Sequence, residues 1–172
     1  MSCCFAAFAF AEERVAWTTS NVIGSDEPPR PYVSEPLWPH ITFNKALDIA
    51  TSPALEEIFV VEQKGKIWSL PARIDANPSE AMLVADLSEI VKPQLESVLG
   101  MCIHPNFATN REVFFFYRTS VGTDDGSRIS RFKLRQTGQQ LKVDPLTEEI
   151  IIQFGAGGHN GGHLGFGPDG ML

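Results

Sequence analysis

The stretch LGMCIHPNFATNREVFFFY, from Leu99 to Tyr117, has a form that recurs along the chain. A short apolar run ends at a proline, a polar turn follows, and a second run of β-branched and aromatic residues comes after the turn. Residues of these kinds favour strands. The same form begins at Leu47, in LDIATSPALEEIFVV, and at Leu164, in LGFGPDGML. The chain is therefore predicted to contain three equivalent pairs of strands.

The spacing of these units predicts the architecture. The prolines that close the first strands are Pro53, Pro105 and Pro168, which lie 52 and 63 residues apart. A repeat of about 40–60 residues with room for four strands is typical of β-propeller blades. The alternative is a β-sandwich with two unrelated hairpins, which three matching units in order disfavour. We predict an all-β fold, a β-propeller of which the chain holds about two blades and the start of a third.

The residues between the prolines supply the remaining strands. Two hairpins, two single strands and one helical turn are predicted there. They are the hairpins Glu57–Leu70, turning at Lys64-Gly65, and Glu112–Leu134, the strands Ala81–Leu87 and Glu148–Phe154, and the turn within Asp86–Val98. Blade 1 is expected at about residues 43–87, blade 2 at about 97–154 and the start of blade 3 at 159–172, within a partial propeller of residues 41–172.

Two other segments precede the propeller. Residues 1–11, MSCCFAAFAFA, end in a small-x-small pattern that resembles a signal-peptidase site, although an apolar chain terminus would read the same way. Residues 12–40 are rich in proline and predict an extended arm anchored by Trp17, Tyr32 and Trp38. Since a propeller closes with about 4–8 blades, we expect the chain to be the N-terminal part of a longer protein and inactive alone.

Charge excludes two classes of partner. The net charge of −7 disfavours nucleic acid and anionic membrane surfaces. No apolar run reaches the roughly 18 residues of a membrane span. Of the three cysteines, Cys3 and Cys4 would leave with a signal peptide, so Cys102 alone would remain and could form no internal disulfide.

His159 is the candidate catalytic residue, because it lies in the glycine-rich stretch GAGGHNGG that enters the third unit. The loop that enters an inner strand of a propeller opens beside the central channel. A histidine there suits general base catalysis, and a turn histidine bonded to a carbonyl is the equally open alternative. His163 is interpreted as a strand residue, because the glycines between the two histidines disfavour a helical metal site. Asp169 is interpreted as part of a turn, since one carboxylate is too few for calcium.

Three motifs together resemble the soluble PQQ-dependent glucose/sorbosone dehydrogenase family. They are HNGGHLGFGPDG (159–170), LGMCIHPNFATN (99–110) and IFVVEQKGKIWSLP (58–71), which occur in the family's order. The resemblance covers about Phe43 to Leu172. It implies a six-bladed propeller that binds pyrroloquinoline quinone (PQQ) and calcium, with His159 at the position of the catalytic base.

Further assignments follow from the same resemblance. It implies cofactor contacts at Asn160 and Gly161, and calcium ligands beyond this chain. The family places a substrate-binding glutamine at the position of Leu95, so Gln94 and Glu96 are the candidate substrate-binding residues. Family members commonly have Asp or Asn where this chain has Gly158, and Arg where it has His163.

The implied activity is oxidation of a sugar or related alcohol by hydride transfer to the quinone. Electrons would pass to an acceptor such as a cytochrome c, in a periplasmic or secreted protein. Two other functions remain open from the sequence. One is a non-catalytic propeller of the same family that binds a partner or carbohydrate, and the other is a propeller hydrolase of the lactonase type.

Overall fold

A computed structural model describes residues 34–92, 94–119, 124–157 and 159–172. The chain divides into two compact units, Met1–Glu35 and Pro36–Leu172, and every element below belongs to the second unit. The predicted leader of residues 1–11 and most of the predicted arm, with Trp17 and Tyr32, lie outside the described residues. Trp38 is described, and its indole Nε1 donates to the carbonyl of Arg73 at 3.1 Å.

Two four-stranded antiparallel sheets form the unit, each with its strands in chain order. The first sheet contains β1 (Ala46–Thr51), β2 (Glu57–Glu62), β3 (Lys66–Pro71) and β4 (Met82–Asp86), with a 3-10 turn at Pro78–Glu80 and the short helix α1 at Leu87–Ile90. The second contains β5 (Ser97–Ile103), β6 (Glu112–Arg118), β7 (Ser127–Thr137) and β8 (Gln140–Phe154), with α2 at Phe107–Asn110. The predicted hairpins and helical turn are confirmed.

Two regions differ from the prediction. β8 is longer than the predicted Glu148–Phe154, because Pro145 falls at an irregularity between the pairs Lys133–Asp144 and Arg131–Glu149 and so does not end the strand. In the third unit, residues 159–172 contain no assigned strand. Its predicted turn is present, with Gly170 N–H donating to the Gly167 carbonyl at 2.9 Å and Gly167 N–H to that of Met171 at 2.8 Å.

One hydrophobic core joins the two sheets. Inward residues of both sheets belong to a single buried cluster, among them Phe59, Val61, Ile67 and Val84 from the first sheet and Met101, Phe115, Tyr117 and Phe132 from the second. Burial of each large side chain contributes roughly 1.5–3 kcal/mol. The sheets therefore stack face to face, with β1 against β5 and β4 against β8, as neighbouring propeller blades do.

The turn between β2 and β3 helps to set this stacking. Gly65 has a φ of +110°, which glycine adopts without strain, and a Cβ there would lie 2.8 Å from Leu95 Cδ2. Its carbonyl accepts from Leu87 N–H at 2.8 Å, and the carbonyl of Gln63 accepts from Val98 N–H at 2.9 Å. The hairpin of the first sheet is thus hydrogen-bonded to the start of the second.

The third unit also packs on the second sheet through an aromatic contact. The ring of Phe166 lies edge-on to Phe114, with 5.4 Å between ring centroids, and 5.0 Å from the ring of His104. His104 accepts the N–H of Asn106 at its Nδ1, at a distance of 2.9 Å. His104 is therefore a structural residue, as the sequence predicts.

Gly100 allows the inner segments to meet. A Cβ at Gly100 would overlap the carbonyl oxygen of Gly162 and lie 3.3 Å from Asp48 Oδ2. We predict that Gly100→Ala lowers the free energy of unfolding by about 1–3 kcal/mol, the usual cost of overpacking. Urea denaturation followed by tryptophan fluorescence measures the change.

Gly155→Ala is the matched control for this substitution. No heavy atom lies within 4 Å of a Cβ built at Gly155, so its effect should stay within about 0.5 kcal/mol. Equal stability of the two variants would show that the backbones of the second and third units do not make the close contact described.

Candidate active site

A cavity of about 370 Å³ lies where β1, β5 and the first residues of the third unit meet. It is lined by Leu47, Asp48, Leu99, Gly161, Gly162 and His163. All three sequence units contribute to this lining. Because the inner strands of a propeller surround its channel, this cavity occupies the place where the sequence predicts the active site.

The lining residues hold equivalent positions in the repeats. Leu47, Leu99 and Gly162 each lie six residues before the proline of their unit, and Asp48 and His163 each lie five residues before it. The ladders of β1 and β5 are irregular at the same point, between Ala46 and Asp48 and between Val98 and Gly100. Such bulges turn a side chain away from its regular direction and are common beside active sites.

His159 lies two residues before Gly161, and its side chain is exposed. Within the described residues, no hydrogen bond joins its ring to another group. An exposed imidazole is accessible to a substrate hydroxyl, and Gly161, two residues away, lines the cavity.

Asn160 fixes the loop that carries His159. Its side-chain Oδ1 accepts the N–H of Gly157 and its Nδ2 donates to the Gly157 carbonyl, both at 3.2 Å. Gly161 has a φ of +65° and an open face, since no heavy atom lies within 4 Å of a Cβ built there. The Asn160 side chain is thus held on Gly157, while Gly161 presents backbone without a side chain to the cavity.

Asp48 connects the units through its carboxylate. Oδ2 accepts the N–H of Met101 in β5 at 3.0 Å, and Oδ1 accepts the N–H of Ile49 at 2.9 Å. Oδ1 also lies 3.8 Å from Nδ1 of His163. The Asp48 side chain is 14% exposed and that of His163 is 82% exposed, so a held carboxylate faces a ring that is free to turn.

The candidate substrate residues Gln94 and Glu96 lie elsewhere. Gln94 is exposed, and the carboxylate of Glu96 forms an ion pair with Arg118 at 3.1 Å. Leu95 between them is buried in the core. Neither Gln94 nor Glu96 is among the described residues that line the cavity.

A second cavity of about 250 Å³ adjoins the first, and His163 lines both. Cys102 lines the second cavity, where burial, with a smaller contribution from Asp48, raises the pKa of its thiol from 9.0 to about 12. Among the described residues, no group of three histidine, cysteine, aspartate or glutamate side chains is placed to hold a metal ion.

Of the site residues predicted from the sequence, Gly161 lines this cavity, whereas Leu47, Asp48 and Leu99 were not predicted and His163 was interpreted only as a strand residue. The sequence does contain a signal for Leu47, Asp48, Leu99 and His163, namely their position within each repeat. They hold matching positions before Pro53, Pro105 and Pro168, and aligning the three units on those prolines would have placed them around one point.

The fold and the cavity define part of a β-propeller with a candidate active site on its inner strands. A family model described as glucose/sorbosone dehydrogenase matches residues 43–172. The chain belongs to the glucose/sorbosone dehydrogenase family.

Solved structures share similarity with this chain over part of their length. The PQQ-bound form of aldose sugar dehydrogenase from Streptomyces coelicolor supports the fold, with a TM-score of 0.56 at 21% identity, over 76% of this chain and 37% of that one. The apo-form of the soluble aldose sugar dehydrogenase from Escherichia coli matches with a TM-score of 0.48 at 18% identity, over 72% of this chain and 35% of that one. The matches therefore span little more than a third of the length of either protein.

We predict that Cys102 resists alkylation in the folded protein. At pH 9 a thiol with a pKa near 12 is roughly 0.1% ionised, whereas an ordinary cysteine is about half ionised. In a Cys3→Ser, Cys4→Ser background, iodoacetamide should modify Cys102 at least about 100-fold more slowly in buffer than in urea. Equal rates, measured by mass spectrometry, would show that the thiol is not buried.

The same shift predicts how stability depends on pH. The pKa of Cys102 is higher in the folded state, so the folded protein favours the neutral thiol. The contribution of the Cys102 thiol to the free energy of unfolding is complete below about pH 9. It is lost as the pH rises toward about 12. Cys102→Ala should remove that part of the alkaline loss of stability in urea titrations.

Proposed function

We propose that the protein containing this chain is a PQQ-dependent dehydrogenase that oxidises a hydroxyl group of a sugar or related alcohol. The observation that carries the proposal is the position of His159, an exposed imidazole two residues before Gly161, which lines the inner cavity of a glucose/sorbosone dehydrogenase family member. The PQQ-bound aldose sugar dehydrogenase among the similar folds supports the cofactor and substrate class.

His159 acts in this proposal as the general base. A neutral imidazole nitrogen accepts the hydroxyl proton as the carbon–oxygen bond gains double-bond character, and such positioned bases contribute about 10²–10⁴-fold to the rate. Asn160 holds the loop through its two hydrogen bonds to Gly157, which limits the positions that the neighbouring imidazole can take. The loop therefore orients the base before substrate binds.

The cavity suits the face of a planar cofactor. Gly161 offers backbone with an open face and no side chain, so a flat ring can approach it closely. When bound, PQQ supplies the two-electron acceptor for the hydride, and the protein supplies binding and orientation. Among the described residues, no three histidine, cysteine, aspartate or glutamate side chains lie together in a way that could hold calcium.

We also propose that the protein is exported and passes its electrons to an acceptor such as a cytochrome c. Its support is the signal-like composition of residues 1–11. No helix in the described part of the chain is long and apolar enough to cross a membrane.

We predict that His159→Gln lowers kcat by about 10²–10⁴-fold in the full-length protein reconstituted with PQQ and calcium. Cofactor binding, measured by absorbance titration, should change little, because glutamine keeps the loop polar and the cavity glycines intact. Dye-linked oxidation of an aldose measures kcat.

His40→Gln is the matched control, since His40 is also an exposed histidine and does not line the candidate active site. It should retain the activity of the unaltered protein. Full turnover by His159→Gln would remove His159 as the base, and absence of aldose oxidation by the unaltered protein would refute the proposed activity.

A further inference from the structure

Two polar side chains from different repeats meet across a glycine. Asp48, Gly100 and His163 each lie five residues before the proline of their unit. Successive units place these three residues next to one another, Asp48 on β1, Gly100 on β5 and His163 in the third unit. Gly100, the middle member, has no side chain, and a Cβ there would lie only 3.3 Å from Asp48 Oδ2. The gap at Gly100 lets Asp48 reach the neighbouring sheet and face His163.

Asp48 and His163 differ in how freely their side chains can move. Both Asp48 oxygens accept backbone N–H groups, from Ile49 and Met101, and the side chain is only 14% exposed. The carboxylate is therefore fixed in position. His163 is 82% exposed, with Nδ1 at 3.8 Å from Asp48 Oδ1, and a small rotation of its ring closes this distance to that of a hydrogen bond.

This geometry selects one tautomer of the ring. A carboxylate only accepts hydrogen bonds, so the nitrogen that faces Asp48 carries the proton. Nε2 of the neutral ring is then left as an acceptor. His163 lines the 370 Å³ cavity, whose other lining residues are Leu47, Leu99 and two glycines besides Asp48.

We propose that His163 is a specificity-determining residue that accepts a hydrogen bond from a second hydroxyl of a polyhydroxylated substrate, and that Asp48 is the positioning residue that holds its ring. The inference rests on the proposed function and deepens it. It separates His163, which recognises a hydroxyl that does not react, from His159, which removes the proton of the one that does. A simple monohydroxy alcohol has no group for His163.

The first test is kinetic and uses the full-length protein with PQQ and calcium. His163→Phe keeps a ring of similar size and removes its polar atoms. For an aldose, it should raise KM by about 2–12-fold and leave kcat within about twofold, because a neutral hydrogen bond contributes about 0.5–1.5 kcal/mol. For a monohydroxy alcohol, and for the deoxy-sugar that lacks the recognised hydroxyl, the KM of the variant should equal that of the unaltered protein.

The second test concerns Asp48 and does not depend on turnover. In Asp48→Asn, a side-chain amide that keeps its oxygen on Met101 N–H turns its NH₂ group toward His163 and gives up the hydrogen bond from Ile49 N–H. The ring must then accept at Nδ1, so the tautomer should change from Nδ1–H to Nε2–H. Long-range ¹H–¹⁵N NMR correlations of the histidine ring measure this directly, and a change in packing alone would not reverse the tautomer.

The two residues should also be coupled. Asp48→Asn should raise the aldose KM several-fold in the unaltered background and leave it unchanged in the His163→Phe background, because Asp48 acts through His163. Additive effects, or an Nε2–H tautomer in the unaltered protein, would overturn the role of Asp48. Unchanged discrimination among deoxy-sugars in His163→Phe would overturn the role of His163.

Failure of the proposed function gives a different result. If the unaltered protein oxidises no aldose, the proposed activity and the hydroxyl contact of His163 both fall. The tautomer measurement then still decides whether Asp48 positions the ring. If aldoses are oxidised and His163→Phe retains its KM, only the specificity inference is wrong.

Discussion

The close approach of inner backbone segments is the constraint on which the candidate site depends. Gly100 and Gly162 meet without a Cβ between them, and a Cβ at Gly162 would lie 2.6 Å from the Leu99 carbonyl oxygen. Side chains at these points would force the third unit away from β5. The cavity would then lose one wall, because Gly161, Gly162 and His163 all belong to that unit. Small residues here therefore serve the site as well as the packing.

The shared core explains why the inner strands can be held so closely. Phe115 and Phe132 pack edge to face, with ring centroids 5.8 Å apart, in a cluster that includes Phe59 and Val61 of the first sheet. Protein interiors of this density transmit small displacements, so the position of β5 against β1 is fixed by contacts far from the cavity. Apolar packing alone does not fix the relative orientation of β1 and β5 at their inner edge. The hydrogen bond from Met101 N–H to Asp48 supplies that orientation.

Most of the fold was predictable because its signals are local. The hairpin at Gly65 and the runs of β-branched and aromatic residues depend on neighbouring residues, and the proline spacing depends on counting alone. The length of β8 was not predictable in this way. A proline such as Pro145 normally ends a strand. Here β8 continues because it pairs with β7 on both sides of the irregularity.

In the candidate site, too, residues with a local sequence signal were predictable and residues that depend on distant contacts were not. His159 was recognisable from its glycine-rich surroundings, but Asp48 has no local signal, since its partners are Met101 in another sheet and His163 in another unit. Gln94 and Glu96 were inferred from the family resemblance because they flank Leu95, whereas the structure places Glu96 in an ion pair with Arg118. In a repeat protein, equivalent positions in successive repeats are better guides to a shared site than adjacent positions in one repeat, because stacking brings the former together. Asp48 and His163 are 115 residues apart in the chain and occupy one such position.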